Sequence, residues 1–301
     1  MTLFFIILPA LVIFLVGFIA QKLIGFDIKS ISAMSLYILS PCLAFRTFYT
    51  NDITLDYMYM MLAALALSLS LLVITYIVAK ITQANQSESS ALILSSVFMN
   101  SGNYGAPVVL FALGPAGFDY AVIIMVLHSL LMNTLGIFFA ALGGQEGGGH
   151  KQALRSVVRM PVLYAAILGM LCHWVGFKLS PPFQDALNLV ANATIPIIML
   201  VLGMQLAVIS RKKVTYRFVV GASMIRMIAS PLIAALILSF LPLSDLAKTV
   251  FIIQAAMPSA ANTTMLALKY DTEPDLVSFT TLVTTAISVI SLPIVLYLVG
   301  V

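Results

Sequence analysis

Phe98-Met99-Asn100-Ser101-Gly102-Asn103-Tyr104-Gly105-Ala106-Pro107 sits in the middle of an apolar run where a helix ought to be continuous. Two glycines, two asparagines and a proline so close together are helix-breaking chemistry. In hydrocarbon an unpaired backbone group costs several kcal/mol, so broken backbone survives there only where it is buried in protein or lines a polar cavity. A second interruption, Ala256-Met257-Pro258-Ser259-Ala260-Ala261-Asn262-Thr263-Thr264, lies in another apolar run far along the chain. Paired interruptions at corresponding positions of two halves point to a transporter binding site.

The surrounding composition sets the solvent. With 61% hydrophobic and 9% charged residues and a mean hydropathy of +1.10, the chain is far from a soluble domain, in which about 25% of residues are charged. The apolar runs exceed the roughly 20 residues that cross a bilayer as a helix, and they lack the alternation of a membrane barrel. An all-α membrane protein is expected. The first run starts at Leu3 without a basic segment before it or a small-residue cleavage site after it, so it reads as a retained span. Cys42 and Cys172 fall inside spans and suggest neither a disulfide framework nor a metal cluster.

Runs bounded by charge or turn clusters place spans near 3–21, 31–49, 56–80, 89–113, 118–142, 157–177, 186–209, 216–241, 246–269 and 275–299. The Gly-rich stretch Gly143–His150 has linker composition. It divides the ten spans into a first group, 1–142, and a second, 157–301, with a cytoplasmic link over 143–156.

Charge supports this count. With the amino terminus outside, inside loops hold eleven basic residues, among them Lys29, Lys151, Arg155, Arg159, Arg211, Lys212, Lys213 and Lys269, while outside ends hold Arg46, Lys178 and Lys248. That asymmetry obeys the positive-inside rule and puts both termini outside. Five spans per group force the second to enter from the opposite side, so the halves are expected to be inverted repeats. Pro9 and Gly17 echo Pro161 and Gly169, Pro41 echoes Pro196, and Met99 and Ser101 echo Met257 and Ser259. The offset drifts smoothly from 152 through 155 to 158 residues.

At each interruption, the half-helix that follows presents its positive dipole end towards the midplane. Two such ends meeting from opposite sides favour an anionic group, and Asn100, Ser101, Asn103, Ser259, Asn262, Thr263 and Thr264 add neutral donors and acceptors. Taken singly, each break also reads as a kink satisfied by neighbouring helices. Arg226 lies about ten residues into span 8, where an Arg costs on the order of 2.5–3.5 kcal/mol to insert, and every Asp and Glu falls in loops or at span ends. Two readings are open for it: attraction of an anionic substrate, or bonding to broken-helix carbonyls or snorkelling inward. An unshifted histidine titrates near neutrality, so a proton-carrying reading is open for His128 and His173 beside a packing or interfacial one. Tyr104 reads as a closing aromatic or a packing one. Thr284, Thr285 and Ser288 read as helix–helix hydrogen bonds.

No H-E-x-x-H, no G-x-S-x-G and no intramembrane carboxylate pair occurs, so an enzyme is not expected, nor a metal or cofactor. A selectivity-filter sequence is also absent, which weakens a channel reading. The small net charge of +4 follows topology and gives no sign of a nucleic-acid partner.

Asn100-Ser-Gly-Asn103-Tyr-Gly105-Ala-Pro107, Met257-Pro258-Ser259-Ala-Ala-Asn262 followed by Ala267-Leu-Lys-Tyr270, and Thr284-Thr285-Ala-Ile-Ser288 with Leu292-Pro293 together resemble the auxin efflux carrier family. These are prokaryotic relatives of the plant PIN-FORMED auxin transporters within the bile-acid/arsenite transporter group. The resemblance covers nearly the whole chain, and Arg226 before Pro231 fits the family's span 8. It implies broken spans 4 and 9 crossing at the substrate site. It also implies a scaffold of spans 1, 2, 6 and 7 that dimerises, and a transport unit of spans 3–5 and 8–10 that moves as an elevator. Asn100 matches the crossover asparagine of the plant carriers, and Pro258 their span 9 proline. The long cytosolic loop of the plant members is missing, so regulation through such a loop is not expected, and auxin itself is not implied.

The sequence therefore leads to a secondary carrier of a small organic anion, a carboxylate of auxin-like or dicarboxylate type; the family resemblance implies a bacterial inner membrane and a homodimer. Asn100, Ser101, Asn103, Tyr104, Pro258, Ser259, Asn262, Thr263 and Arg226 are its expected substrate residues, and Gly102, Gly105, Pro107 and Pro258 hold the breaks. A proton or sodium ion is the expected coupling ion. The rivals are a sodium-coupled symporter like the bile-acid carriers and a ligand-binding membrane sensor that does not translocate.

Overall fold

The structure, a computed structural model, describes residues 2–52, 54–144, 155, 158–209 and 214–301. Most of the expected link over 143–156, together with Lys151, Arg211, Lys212 and Lys213, lies outside the described residues.

The described chain is helical from end to end: α1 (Thr2–Ile24), α2 (Ile28–Thr50), α3 (Leu55–Ile81), α4 (Gln86–Ser96), α5 (Ser101–Gly143), α6 (Pro161–Trp174), α7 (Pro181–Ala207), α8 (Tyr216–Ser239), α9 (Asp245–Ala255), α10 (Ala261–Tyr270) and α11 (Pro274–Leu298). Seven of them, α1, α2, α3, α5, α7, α8 and α11, are long and apolar enough to cross a membrane, while α6 is a shorter apolar helix of 14 residues. The runs expected as spans 4 and 9 are each divided, α4 from α5 and α9 from α10, where the sequence carries its Gly, Asn and Pro. The 43 residues of α5 form two limbs that meet at Gly114, whose φ of 67° and ψ of −164° no helix accommodates. Helix α7 starts at Pro181, earlier than the expected 186, because Pro suits the first helical turn, where no N–H is needed.

Within the helices lie four wide π-turns, Ser35–Leu39, Ser101–Gly105, Met132–Gly136 and Ile225–Ala229. Three have a common cause. Pro41, Pro107 and Pro231 each stand two residues after the end of one. A proline removes one amide donor and its ring clashes with the carbonyl four residues back. For these three prolines that residue is Tyr37, Asn103 or Met227, each inside a π-turn. The extra residue in the turn relieves the clash, and such insertions are frequent at functional sites.

Helix starts are set by local chemistry. Asn85 accepts from the Glu88 N–H at 2.9 Å and Glu88 reaches back to the Asn85 N–H at 2.8 Å, a complete capping box at the start of α4. Ser244 caps α9 through the Ala247 N–H at 3.3 Å.

Helix α1 packs along α7 and α2 along α6. Small residues permit the close approach: a Cβ on Gly203 would stand 2.0 Å from the Phe14 carbonyl oxygen, and one on Gly17 2.2 Å from that of Leu200. Helices α3 and α8 contact each other, α3 also packs on α4, and α8 on α9. The outer surface is apolar, with Leu15, Leu69, Leu232 and Ile290 exposed, as lipid-facing helices require.

Candidate functional site at the helix crossover

The two breaks meet. Past Ser96 and past Ala255 the backbone leaves the helix, and the freed segments lie antiparallel with Met99 opposite Ser259. The Asn100 N–H donates to the Pro258 carbonyl at 2.8 Å, and the Ala260 N–H to the Phe98 carbonyl at 2.9 Å. Each interruption thus supplies partners for the other, which is how backbone at this depth avoids unpaired groups.

Side chains complete the pairing. The Met99 N–H donates to His128 Nε2 at 2.9 Å, committing that ring nitrogen to the crossover. The Ser259 N–H donates to Thr284 Oγ1 at 3.2 Å, and Ser259 Oγ donates to the Ser95 carbonyl at 2.5 Å.

Arg226 is fully buried, at 0% exposure, on the far side of this pairing. Its Nη1 donates to the carbonyls of Ser96 at 3.2 Å and Val97 at 3.1 Å, and its Nη2 to that of Ala255 at 2.6 Å and to Ser230 Oγ. Ser230 Oγ also donates to the Ala255 carbonyl at 2.8 Å. The guanidinium therefore spans the carboxyl ends of α4 and α9, where the helix dipoles concentrate negative partial charge. Carbonyl ends replace the missing intramembrane acid.

On the other side of the crossover is a cavity of about 700 Å³. Asn100, Ser101, Gly102 and Asn103, at the start of α5, and Ala260 and Asn262, at the start of α10, lie in its wall. Helix starts carry N–H groups without intrahelical acceptors and positive partial charge. Opposite them the wall is formed by the π-turn region of α2, including Ser35 and Tyr37, and by Ile198 and Val201 of α7. Lys29 and Lys269 also line it, and among the described residues no Asp or Glu does. Asn100 is 4% exposed and its Nδ2 has no protein partner.

A family profile described as membrane transport protein matches residues 2–296. The chain belongs to this family, the auxin efflux carriers. It is 27% identical over 296 residues to an uncharacterized transporter of Methanocaldococcus jannaschii, with 95% of each chain covered. To an uncharacterized transporter of Methanothermobacter thermautotrophicus it is 28% identical over 301 residues, covering 96% of this chain and 95% of the relative. The resemblance read from the motifs is thereby borne out, and with it an integral membrane protein of a transport family.

The residues singled out in this carrier-family chain divide into two sets. Asn100, Ser101, Asn103 and Asn262 line the cavity. Tyr104, Ser259, Thr263 and Arg226 are buried behind it and absent from its wall. Tyr104 accepts from Ser288 Oγ at 3.0 Å and meets the Phe14 ring edge-on at 4.9 Å between centroids. Thr263 Oγ1 donates to the Ala260 carbonyl at 2.7 Å, so it serves the start of α10. Pro258 contributes its carbonyl to Asn100, Gly102 lies in the cavity wall, and Pro107 follows the π-turn that carries Asn103. Gly105 faces Gln254: a Cβ there would stand 2.1 Å from Gln254 Oε1. The two histidines separate likewise, since His173 pairs with Tyr49 O at 2.9 Å and Asp52 at 3.0 Å, away from the cavity.

Sequence reasoning passed over Ser230, Gln254, Lys29 and Lys269. Ser230 stands four residues after Arg226, one turn on, which was its signal. Gln254 is fully buried one turn before the second break, with both carboxamide atoms unpartnered. Its signal was an amide side chain directly after the apolar run Val250-Phe251-Ile252-Ile253.

Proposed function

We propose that the chain is a secondary carrier of a small organic anion, a carboxylate of auxin-like or dicarboxylate type, working by elevator-type alternating access. The carrying observation is the cavity wall itself: the starts of α5 and α10 flank it, Asn100 has a donor without a partner, and among the described residues no carboxylate lines it. Oriented donors and positive helix ends in a wall free of acids suit a carboxylate. Asn100, Ser101, Asn103 and Asn262 contact the substrate, and Arg226 acts from behind, by holding the two half-helices and adding positive potential.

Ten spans in two inverted repeats account for the packing. Exchanging the first five spans with the second five turns the α1–α7 contact into the α6–α2 contact, and the α3–α4 contact into the α8–α9 contact, and all four are present. Spans 1, 2, 6 and 7 then form the scaffold and the homodimer face, and the remainder moves. With basic loops inside, both termini lie outside a plasma membrane, and the link over 143–156 lies within the cell.

Uptake and counterflow in proteoliposomes test this reading, with mono- and dicarboxylates and indole-3-acetate as solutes and with sodium, proton and voltage gradients imposed separately. Saturable counterflow of one carboxylate is expected, and its dependence on the gradients identifies the coupling ion. Saturable binding without counterflow would move the assignment to a sensor.

A further inference from the structure

We infer that Arg155, Arg159 and Lys269 form an anion-capturing vestibule beside the central cavity, with a carboxylate or phosphate oxyanion as its ligand. A second cavity, of about 370 Å³, is lined by these three cations together with Tyr37, Met160 and Tyr270. It shares Leu36, Tyr37, Asn133 and Lys269 with the central cavity, so the two adjoin. Among the described residues, no Asp or Glu lies in either wall.

Among the described residues the ion pair within 4.0 Å is His173–Asp52, which involves none of the three cations. Their charge is therefore not neutralised by a carboxylate. The Lys269 ammonium lies 5.2 Å from the Tyr270 ring centroid, a contact that steadies it and leaves its N–H donors free. The positive-inside rule explains why basic residues gather on one side of a membrane. It does not explain why Arg155 and Arg159 converge with Lys269, in the last turn of α10, on one concave wall that adjoins the central cavity.

Like charges in a cleft with low-dielectric walls focus the field and raise anion association rates by roughly 10–10³. Arg also matches the planar, two-oxygen edge of a carboxylate or phosphate. All three side chains are exposed, so the bound anion exchanges readily, which suits capture and hand-over more than retention. What the anion does next, passing to the starts of α5 and α10, rests on the carrier reading. The binding step does not.

The test uses the full chain in neutral detergent and inorganic phosphate as probe, followed by phosphorus NMR line broadening. Removing two exposed cations in R155Q/R159Q is expected to weaken phosphate binding about tenfold, since exposed charge contacts each contribute up to about fivefold. R155K/R159K, which keeps the charge but not the planar fork, is expected to recover most of the binding. Acetate and dihexanoyl phosphatidylglycerol form parallel arms. Binding of phosphate and acetate assigns the site to free solutes, and binding of the lipid alone assigns it to a headgroup; both keep the vestibule.

Unchanged phosphate binding in R155Q/R159Q overturns the proposal, as does absence of binding for all three probes. A wild-type protein that binds phosphate through Arg155 and Arg159 but transports nothing would sink the carrier reading and leave the vestibule standing.

Discussion

The Asn100 N–H is bonded to the Pro258 carbonyl at 2.8 Å, whereas the Nδ2 of the same residue has no protein partner. Backbone and side chain of Asn100 therefore have separable tasks: the first joins the two broken helices and the second remains available to a ligand. Asn100→Pro removes the backbone donor and is expected to lower stability by roughly 1–3 kcal/mol or more, since it leaves the buried Pro258 carbonyl unpaired. Asn100→Ala keeps the tie and is expected to melt within a few degrees of wild type in detergent. Equal melting of the two variants would separate the crossover pairing from stability.

Arg226 offers a choice between its two readings. As a clasp on the carbonyls of Ser96, Val97 and Ala255, its loss leaves buried acceptors short of donors, at roughly 1–3 kcal/mol for each one left unpaired. Arg226→Ala is thus expected to give poorly folded, aggregating protein by size-exclusion chromatography. Arg226→Lys should recover part of the stability, because one ammonium cannot span both helix ends as a guanidinium does. A stable, monodisperse Arg226→Ala protein that has lost only ligand binding would identify it as a substrate residue.

Tyr104 stands within the same ten-residue stretch as Asn100 but behind the cavity. Its hydroxyl lies 3.0 Å from Ser288 Oγ, and the single Ser288 proton also has the Thr285 carbonyl as an acceptor at 2.6 Å, so the serine retains a partner without it. Tyr104→Phe is expected to cost no more than about 1 kcal/mol and to leave transport kinetics unchanged. A raised KM in this variant would bring Tyr104 to the substrate.

The turn between α10 and α11 carries a pH signature. Burial comes first, then the nearby charges of Glu88, Asp271 and Asp275, in pushing the Glu273 carboxyl above its usual value. A carboxyl raised in the folded state is favoured there in its protonated form. Its contribution to stability is present in acid and is lost as pH rises from the ordinary carboxylate value through the raised one. Glu273→Gln, which mimics the protonated form, is therefore expected to raise the melting temperature at neutral pH, with the difference shrinking towards pH 4. A constant difference across that range would refute the electrostatic cause.

Both breaks were legible because Gly, Asn and Pro announce themselves in an apolar run. Their mutual pairing was not: Met99 and Ser259 meet through backbone groups, which no residue letter records. The same blindness kept both readings of Arg226 open, since its partners are carbonyl oxygens and the one side chain among them, Ser230, looks like a common helix residue. Depth alone grouped Tyr104 and Thr263 with Asn103 and Asn262. The π-turn over Ser101–Gly105 adds a residue to the turn, so the face each side chain takes departs from a 3.6 period and the front and back of the crossover became separable only in three dimensions. Lys29 and Lys269 were counted as loop charges that orient the chain, and their place in the cavity wall depends on how α2 and α10 fold back over the crossover.

Counterflow of radiolabelled carboxylate in proteoliposomes, with wild type and Asn100→Ala side by side at matched amounts of folded protein, tests the carrier account most directly. The account predicts saturable exchange by the wild type and at least about a tenfold loss in Asn100→Ala, in line with a lost substrate hydrogen bond of about 1.5 kcal/mol or more. Undiminished exchange by a well-folded Asn100→Ala protein would contradict a substrate site at the crossover.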